Sequence, residues 1–174
     1  MVGTTGGKML VAELLTRSVD TVFCVPGESY LAALDAFHDV ADRIRLIVCR
    51  HEAGAANMAE AWGKLTGAPG ICFVTRGPGA CHASIGVHTA RQDSTPLILF
   101  VGQVPRDQKE RGAFQEVDYR STFADLAKWS TEIDDPERIP EIVNRAFMVA
   151  TSGRPGPVVV ALPEEAFFRG YLQS

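Results

Sequence analysis

The sequence predicts an α/β protein, a three-layer sandwich with a central parallel sheet of about six strands flanked by helices. Three observations predict it. Short apolar runs alternate along the chain with longer helical patterns. The runs are five or six residues long and rich in Val, Ile, Leu and Phe, as expected of strands covered on both faces. The whole chain of 174 residues, 46% hydrophobic and 22% charged, suits one buried core and reads as a single domain over residues 1–174.

The strands are expected at 21–25, 45–49, 70–74, 97–101 and 157–162, most with Gly or Pro at or beside an end. A more polar run at 126–133 holds a sixth, short strand. Helices are expected at 6–17, 29–41, 52–66, 80–92, 118–127 and 136–151. Ser29 is placed to cap the second, with Leu31, Leu34, Phe37 and His38 along one face. Asp135-Pro136-Glu137 starts the last, with a capping residue before a proline at the first helical position. Such alternation gives helices on both sides of the sheet through right-handed crossovers. The stretch 102–118 is the one long polar connection, and loops of that length are often functional.

Composition excludes several classes of function. The formal net charge is −4 and no run of Lys or Arg forms a basic face, so no nucleic-acid partner is expected. No apolar stretch approaches the roughly 18–20 residues that cross a bilayer, so no membrane partner is expected either. Lys8 precedes Met9-Leu10-Val11-Ala12, but Glu13 interrupts that run, unlike a signal peptide. Cys24, Cys49, Cys72 and Cys81 show no C-x-x-C spacing, and three lie in apolar surroundings. They read as reduced thiols of a cytoplasmic protein, not as disulfides or a zinc site.

Ligands of open parallel sheets bind at the carboxyl ends of the strands. Four loops there carry unusual content: Pro26-Gly27-Glu28, Arg50-His51-Glu52, Thr75-Arg76-Gly77-Pro78-Gly79-Ala80 and Gly102-Gln103-Val104-Pro105-Arg106. All four are expected on one edge of the sheet. Glu52 opens a helix rich in small residues, Ala53 to Trp62, which suits close packing on all sides, including against another subunit. Two readings of Glu52 stay open: a partly desolvated functional carboxyl, or an acidic residue favoured by the helix dipole.

Arg76-Gly77-Pro78-Gly79 either lets backbone approach an anion or serves as a structural turn. It is not a dinucleotide fingerprint, because His82 occupies the third glycine position. His51-Glu52 does not continue to H-E-x-x-H, since residue 55 is Ala, and the four histidines show no metal-ligand spacing. No metal ligand is therefore assigned. His82 and His88, six residues apart on one helix, read as surface or core positions. No serine sits in a G-x-S-x-G turn.

Taken together, the loops resemble the N-terminal pyrimidine-binding domain of thiamine diphosphate-dependent enzymes, and most closely the acetolactate synthase branch. The resemblance rests on 22–30 (Val-Phe-Cys-Val-Pro-Gly-Glu-Ser-Tyr), 50–55 (Arg-His-Glu-Ala-Gly-Ala), 75–80, 92–96 (Gln-Asp-Ser-Thr-Pro) and 113–116 (Ala-Phe-Gln-Glu), in the family's order and spacing. These segments span about residues 8–168. The sequence departs from the synthase pattern at Cys81-His82, where Thr-Asn is usual, and at Arg91. A His at the second of these places is shared with pyruvate oxidase relatives.

The resemblance implies an enzyme that decarboxylates one 2-oxo acid and transfers the two-carbon unit to a second. Glu52 is then the catalytic carboxyl that protonates the aminopyrimidine ring nitrogen of thiamine diphosphate, so that the cofactor can lose its C2 proton. Pro26, Gly27 and Glu28, together with Thr75, Gly77, Pro78, Gly79 and His82, become cofactor-binding, and Gln115, with Phe114 before it, faces the acceptor substrate. The family holds diphosphate and Mg²⁺ in another domain, through a Gly-Asp-Gly sequence that does not occur here; full-length members leave room for FAD. Self-association and a diphosphate-binding domain, in the same or a partner chain, are the implied partners, and the chain alone is expected to be inactive. It reads as part of a longer enzyme or as one subunit of a split one. Two alternatives stay open: a complete small subunit of a two-subunit 2-oxo acid decarboxylase of the sulfopyruvate type, and a non-catalytic module that kept the fold.

Overall fold

The computed structural model describes residues 4–164 and 170–171. Its elements run β1 (Thr4–Thr5), α1 (Gly6–Thr16), β2 (Thr21–Cys24), α2 (Leu31–His38), β3 (Arg45–Val48), α3 (Glu52–Thr66), β4 (Gly70–Thr75), α4 (Arg76–Asp93), β5 (Leu97–Gln103), α5 (Tyr119–Thr122), β6 (Trp129–Glu132), α6 (Ile139–Thr151), β7 (Pro157–Pro163) and β8 (Gly170–Tyr171). Six of these strands form one sheet in the order β3-β2-β4-β5-β7-β6, and every neighbouring pair is parallel. Strands β1 and β8 pair antiparallel in a separate two-residue ladder that no local pattern announced.

The expected three layers are present, and burial explains the strand compositions. Strands β5 and β7 are buried along their whole length, which accounts for their unbroken apolar runs. The edge strand β6 is only partly covered, so the polar sequence Trp129-Ser130-Thr131-Glu132 suffices there. Alternate residues of each strand feed different cores. Toward one face, Phe73 packs against the rings of Phe100, Phe37 and Tyr30 at 4.7, 5.3 and 5.7 Å, among side chains of α1, α2 and α6. Toward the other, Cys72, Val74, Leu99 and Val101 meet the alanines of α3 and α4.

Small residues let α3 and α4 approach closely. A Cβ added at Gly86 would fall 2.6 Å from the Ala56 Cβ and 2.9 Å from the Ala56 carbonyl oxygen. The Ala-rich face of α3 is therefore consumed by α4 and the sheet, while Met58 and Leu65 on the same helix remain exposed. The expectation of close packing on all sides is thus met on one side only.

Several boundaries differ from the sequence reading. Helix α4 starts at Arg76, four residues before position 80, so Gly77-Pro78-Gly79 forms its first turn; a proline is tolerated there because first-turn N–H groups have no intrahelical acceptor. Ser29 does not cap α2. It lies in a single 3-10 turn (Glu28–Tyr30) ahead of the helix, fully buried, with its hydroxyl 2.6 Å from the Thr75 hydroxyl. The helix expected at 118–127 shortens to α5, where Asp118 accepts from the N–H groups of Arg120 and Ser121. Asp135 does cap, but the turn it caps is a 3-10 turn (Pro136–Arg138) that leads into α6.

Cys24 and Cys72 are buried, Cys49 is half-buried and Cys81 is exposed, all as free thiols. Burial pushes Cys24 up to about 12, with the neighbouring Cys49 adding to it, and raises Cys72 as well. Among the described residues no helix is long and apolar enough to cross a membrane.

Candidate functional site

Because the sheet is parallel, the ends of β2, β3, β4 and β5 and the loops that follow them share one edge, as the sequence implied. Tight contacts fix that edge. A Cβ at Gly27 would lie 2.3 Å from the Thr75 Cβ, and one at Gly102 would lie 1.8 Å from the Ser29 hydroxyl oxygen. Glycine at both places is what lets the loop after β2 cross the tips of β4 and β5.

Arg76 clamps this arrangement. Its backbone is left-handed (φ 43°), and its guanidinium reaches Glu28 at 3.2 Å and Glu164 at 2.9 Å, tying the end of β4 to the segments after β2 and β7. The Nε of Arg76 is buried with no hydrogen-bond partner among the described residues. The N–H of Gly77 donates to the carbonyl of Gln115 at 3.0 Å, bringing the long loop over the first turn of α4. A side chain at Gly77 would meet that carbonyl at 2.9 Å and Val117 at 2.7 Å. Gln103 secures the same loop at two places: its amide donates to the Val117 carbonyl, and its Oε1 accepts from the Val104 N–H. Gln115 itself is left-handed (φ 65°), and Phe114 beside it is 73% exposed.

Glu52 is the first residue of α3. The residue before it, His51, caps the helix: its Nδ1 accepts from the Ala53 N–H at 3.1 Å. The Glu52 side chain is 14% exposed, and its Oε2 lies 2.9 Å from Nδ1 of His82, the seventh residue of α4. The His51 and His82 rings stack at 4.6 Å with a tilt of 31°. Residues 30 positions apart in sequence are thus joined by the close approach of α3 and α4.

Spacing along the chain gave no metal motif, yet ligand atoms of His51, Glu52 and His82 lie within 4.8 Å of one another. An ion shared by all three would break a bond already made. The Nδ1 lone pair of His51 holds the cap, which leaves the proton on Nε2, so His51 can offer neither nitrogen to an ion without losing that bond. The arrangement suits proton exchange better: a sheltered carboxyl with one oxygen hydrogen-bonded and, among the described residues, no partner for the other. Burial holds the Tyr30 phenol well above its ordinary range, and its hydroxyl donates to the Val25 carbonyl.

The structure therefore gathers Pro26, Gly27, Glu28, Glu52, Thr75, Gly77, Pro78, Gly79 and His82 on one edge, with Gln115 joined through its backbone carbonyl. The sequence names Arg76 and Gln103 within their loops but not their contacts, and it points neither to Glu164 nor to the capping role of His51. A separate cleft of about 360 Å³ is lined by the long loop itself, at Lys109 and Asp118, together with Tyr119 and Glu132; neither Glu52 nor His82 lines it.

Residues 4–122 match the family described as thiamine pyrophosphate enzyme, N-terminal TPP binding domain. The chain belongs to this family. As a thiamine pyrophosphate enzyme domain it is 40% identical, over 94% of its length, to the mitochondrial acetolactate synthase catalytic subunit of Saccharomyces cerevisiae, covering 24% of that protein. It is 40% identical over 92% of its length to the acetolactate synthase isozyme 3 large subunit of Escherichia coli, covering 28%. To the acetolactate synthase of Bacillus subtilis it is 37% identical over 95% of its length, covering 29%. The chain thus spans about a quarter of the length of these relatives, and its likeness is to their thiamine pyrophosphate-binding N-terminal part.

Proposed function

We propose that this domain supplies the pyrimidine half of a thiamine diphosphate site in an acetolactate synthase-like enzyme, which decarboxylates one 2-oxo acid and transfers the two-carbon unit to another. The observation that carries the reading is Glu52: a sheltered carboxyl at a helix start, on the ligand-binding edge of a parallel sheet, with one oxygen unpartnered among the described residues. The donor set fits an aminopyrimidine ring, because a protonated Oε1 can donate to a ring nitrogen. When bound, thiamine diphosphate supplies the electron sink for loss of carbon dioxide.

The protein's own residues supply position and a proton. With the cofactor bound, Glu52 would hold a proton at Oε1 and donate it to the ring nitrogen. The Pro26–Gly27–Glu28 segment and the Thr75–Gly79 turn form the walls, stiffened by the Arg76 clamp. Phe114 and Gln115, carried over α4 by the Gly77–Gln115 bond, face the acceptor substrate. Diphosphate and Mg²⁺, and FAD if the enzyme uses it, are held outside this sequence, which has no Gly-Asp-Gly. Two copies pair across the outer sides of α3 and α4, where Met58 and Ile85 are exposed. The four free thiols suit a reducing compartment such as the cytoplasm.

The test is to join this domain to the diphosphate-binding region of its enzyme and offer 2-oxo acids. Carbon dioxide release with carbon–carbon bond formation, dependent on added thiamine diphosphate and Mg²⁺, is expected. Turnover without the cofactor would overturn the reading.

A further inference from the structure

We infer that His82 is a positioning residue that decides which oxygen of Glu52 carries the proton. The inference rests on the reading of Glu52 as the activating carboxyl. A glutamate at the first position of a helix has several staggered rotamers open to it, and nothing in α3 itself fixes this one. What fixes it comes from α4: Nδ1 of His82, 2.9 Å from Oε2.

The half-exposed His82 ring has a second contact that favours this orientation. It stacks on His51, and His51 is locked by the Ala53 N–H that its Nδ1 accepts. While Glu52 is ionised it has no hydrogen to give, so the bond then runs from His82 Nδ1–H to Oε2. With Oε2 occupied as an acceptor, a proton added to Glu52 goes to Oε1, the oxygen with no partner among the described residues. That is the oxygen a ligand's ring nitrogen can meet. His82 thereby presents the acid in one orientation, so that half the approaches are not lost to a proton on the wrong side.

Two further consequences follow. His82 acts through Glu52 and need not touch the cofactor. At this position synthase relatives usually carry Asn, which also has an N–H to offer; the departure at His82 keeps a donor and changes only its carrier.

The first readout needs no catalysis. In the 174-residue chain labelled with ¹⁵N-histidine, long-range proton–nitrogen correlation spectra should show His82 protonated at Nδ1 and bare at Nε2. Glu52→Ala should return it to the Nε2–H form usual for free imidazole. His82 found as Nε2–H in the wild-type chain, unchanged by Glu52→Ala, overturns the inference.

The second readout uses the enzyme that carries this domain, loaded with thiamine diphosphate. His82→Ala should slow exchange of the cofactor C2 proton by roughly 10- to 100-fold, the scale on which outer partners of a functional group act. His82→Asn should restore most of it, and the substrate KM should move little in either variant. If Glu52→Gln slows exchange while His82→Ala leaves it unchanged, the positioning role is wrong and the cofactor reading stands. If Glu52→Gln itself leaves exchange unchanged, the cofactor reading falls and the role of His82 with it.

Discussion

The two faces of the sheet differ in what their helices bring to it. Under α1, α2 and α6 the core is large and aromatic, centred on Phe73 with Phe37, Phe100 and Tyr30 around it. Under α3 and α4 the helices contribute mainly alanine and glycine, packed on Val74, Leu99 and Val101 beside Phe23, Tyr119 and Phe123, and the helices nearly touch through Gly86 and Ala56. The first arrangement maximises apolar area removed from water. The second gives up area to bring two helices together, and both helices begin at the ligand-binding edge. Glu52 on one therefore meets His82 on the other. One face holds the domain together; the other assembles its chemistry.

Truncation on the aromatic face should cost the most stability. Phe73→Ala should destabilise the domain by about 3–5 kcal/mol, the usual loss for a buried ring, read by denaturant unfolding. In whatever fraction stays folded, the His82 tautomer should be unchanged. A loss of that signature in the folded fraction would contradict the division between the faces.

A smaller change on the other face should do the reverse. Gly86→Ala places a Cβ against the backbone of Ala56 and should cost about 1–3 kcal/mol by overpacking. It should also separate α3 from α4 and weaken the Glu52–His82 hydrogen bond. Retention of the His82 Nδ1–H signature in that variant would show that the close helix approach is not what holds the pair.

Thiol labelling sharpens the contrast without mutation. Cys81, exposed beside His82, should react readily with a maleimide, while Cys24 and Cys72, buried and held in the protonated form, should react only on unfolding. Label on Cys81 should perturb the His82 resonances. Equal labelling rates for all three would contradict the burial described.

The smallest effect belongs to the cap of α5. The hydrogen bond from the Ser121 hydroxyl, and then those from nearby backbone N–H groups, hold the Asp118 carboxyl below its ordinary value. The unfolded chain therefore binds that proton more readily. The contribution to stability is present above the unfolded carboxyl value of about 3.9 and is lost as pH falls through the lower folded value. Asp118→Asn should flatten the acid limb of the stability profile slightly, with little change at neutral pH.

Most of the architecture was legible in the sequence because it is local. Unbroken runs such as Leu97–Val101 report strands covered on both faces, and the parallel alternation places their following loops on one edge. What was not legible depends on distant partners. Helix α4 starts early because Gly77 accommodates the returning loop at Gln115, a contact between residues 38 positions apart. Ser29 looked like a cap but is drawn inward to Thr75. His82 read as a surface or core position from its own helix alone, since nothing in residues 76–93 reports that Glu52 lies across from it. The parallel alternation placed the candidate loops on one edge and the resemblance gave their residues roles; the pairing within that edge came from the packing of α3 on α4.

The measurement that bears most directly on the central claim is C2-proton exchange of thiamine diphosphate bound to the enzyme that carries this domain, comparing Glu52 with Glu52→Gln. Removing the acid should slow exchange by about 10²- to 10⁴-fold, the span of a positioned general acid, with the fold intact by circular dichroism. Exchange at the wild-type rate in Glu52→Gln would contradict the assignment of Glu52 as the activating carboxyl.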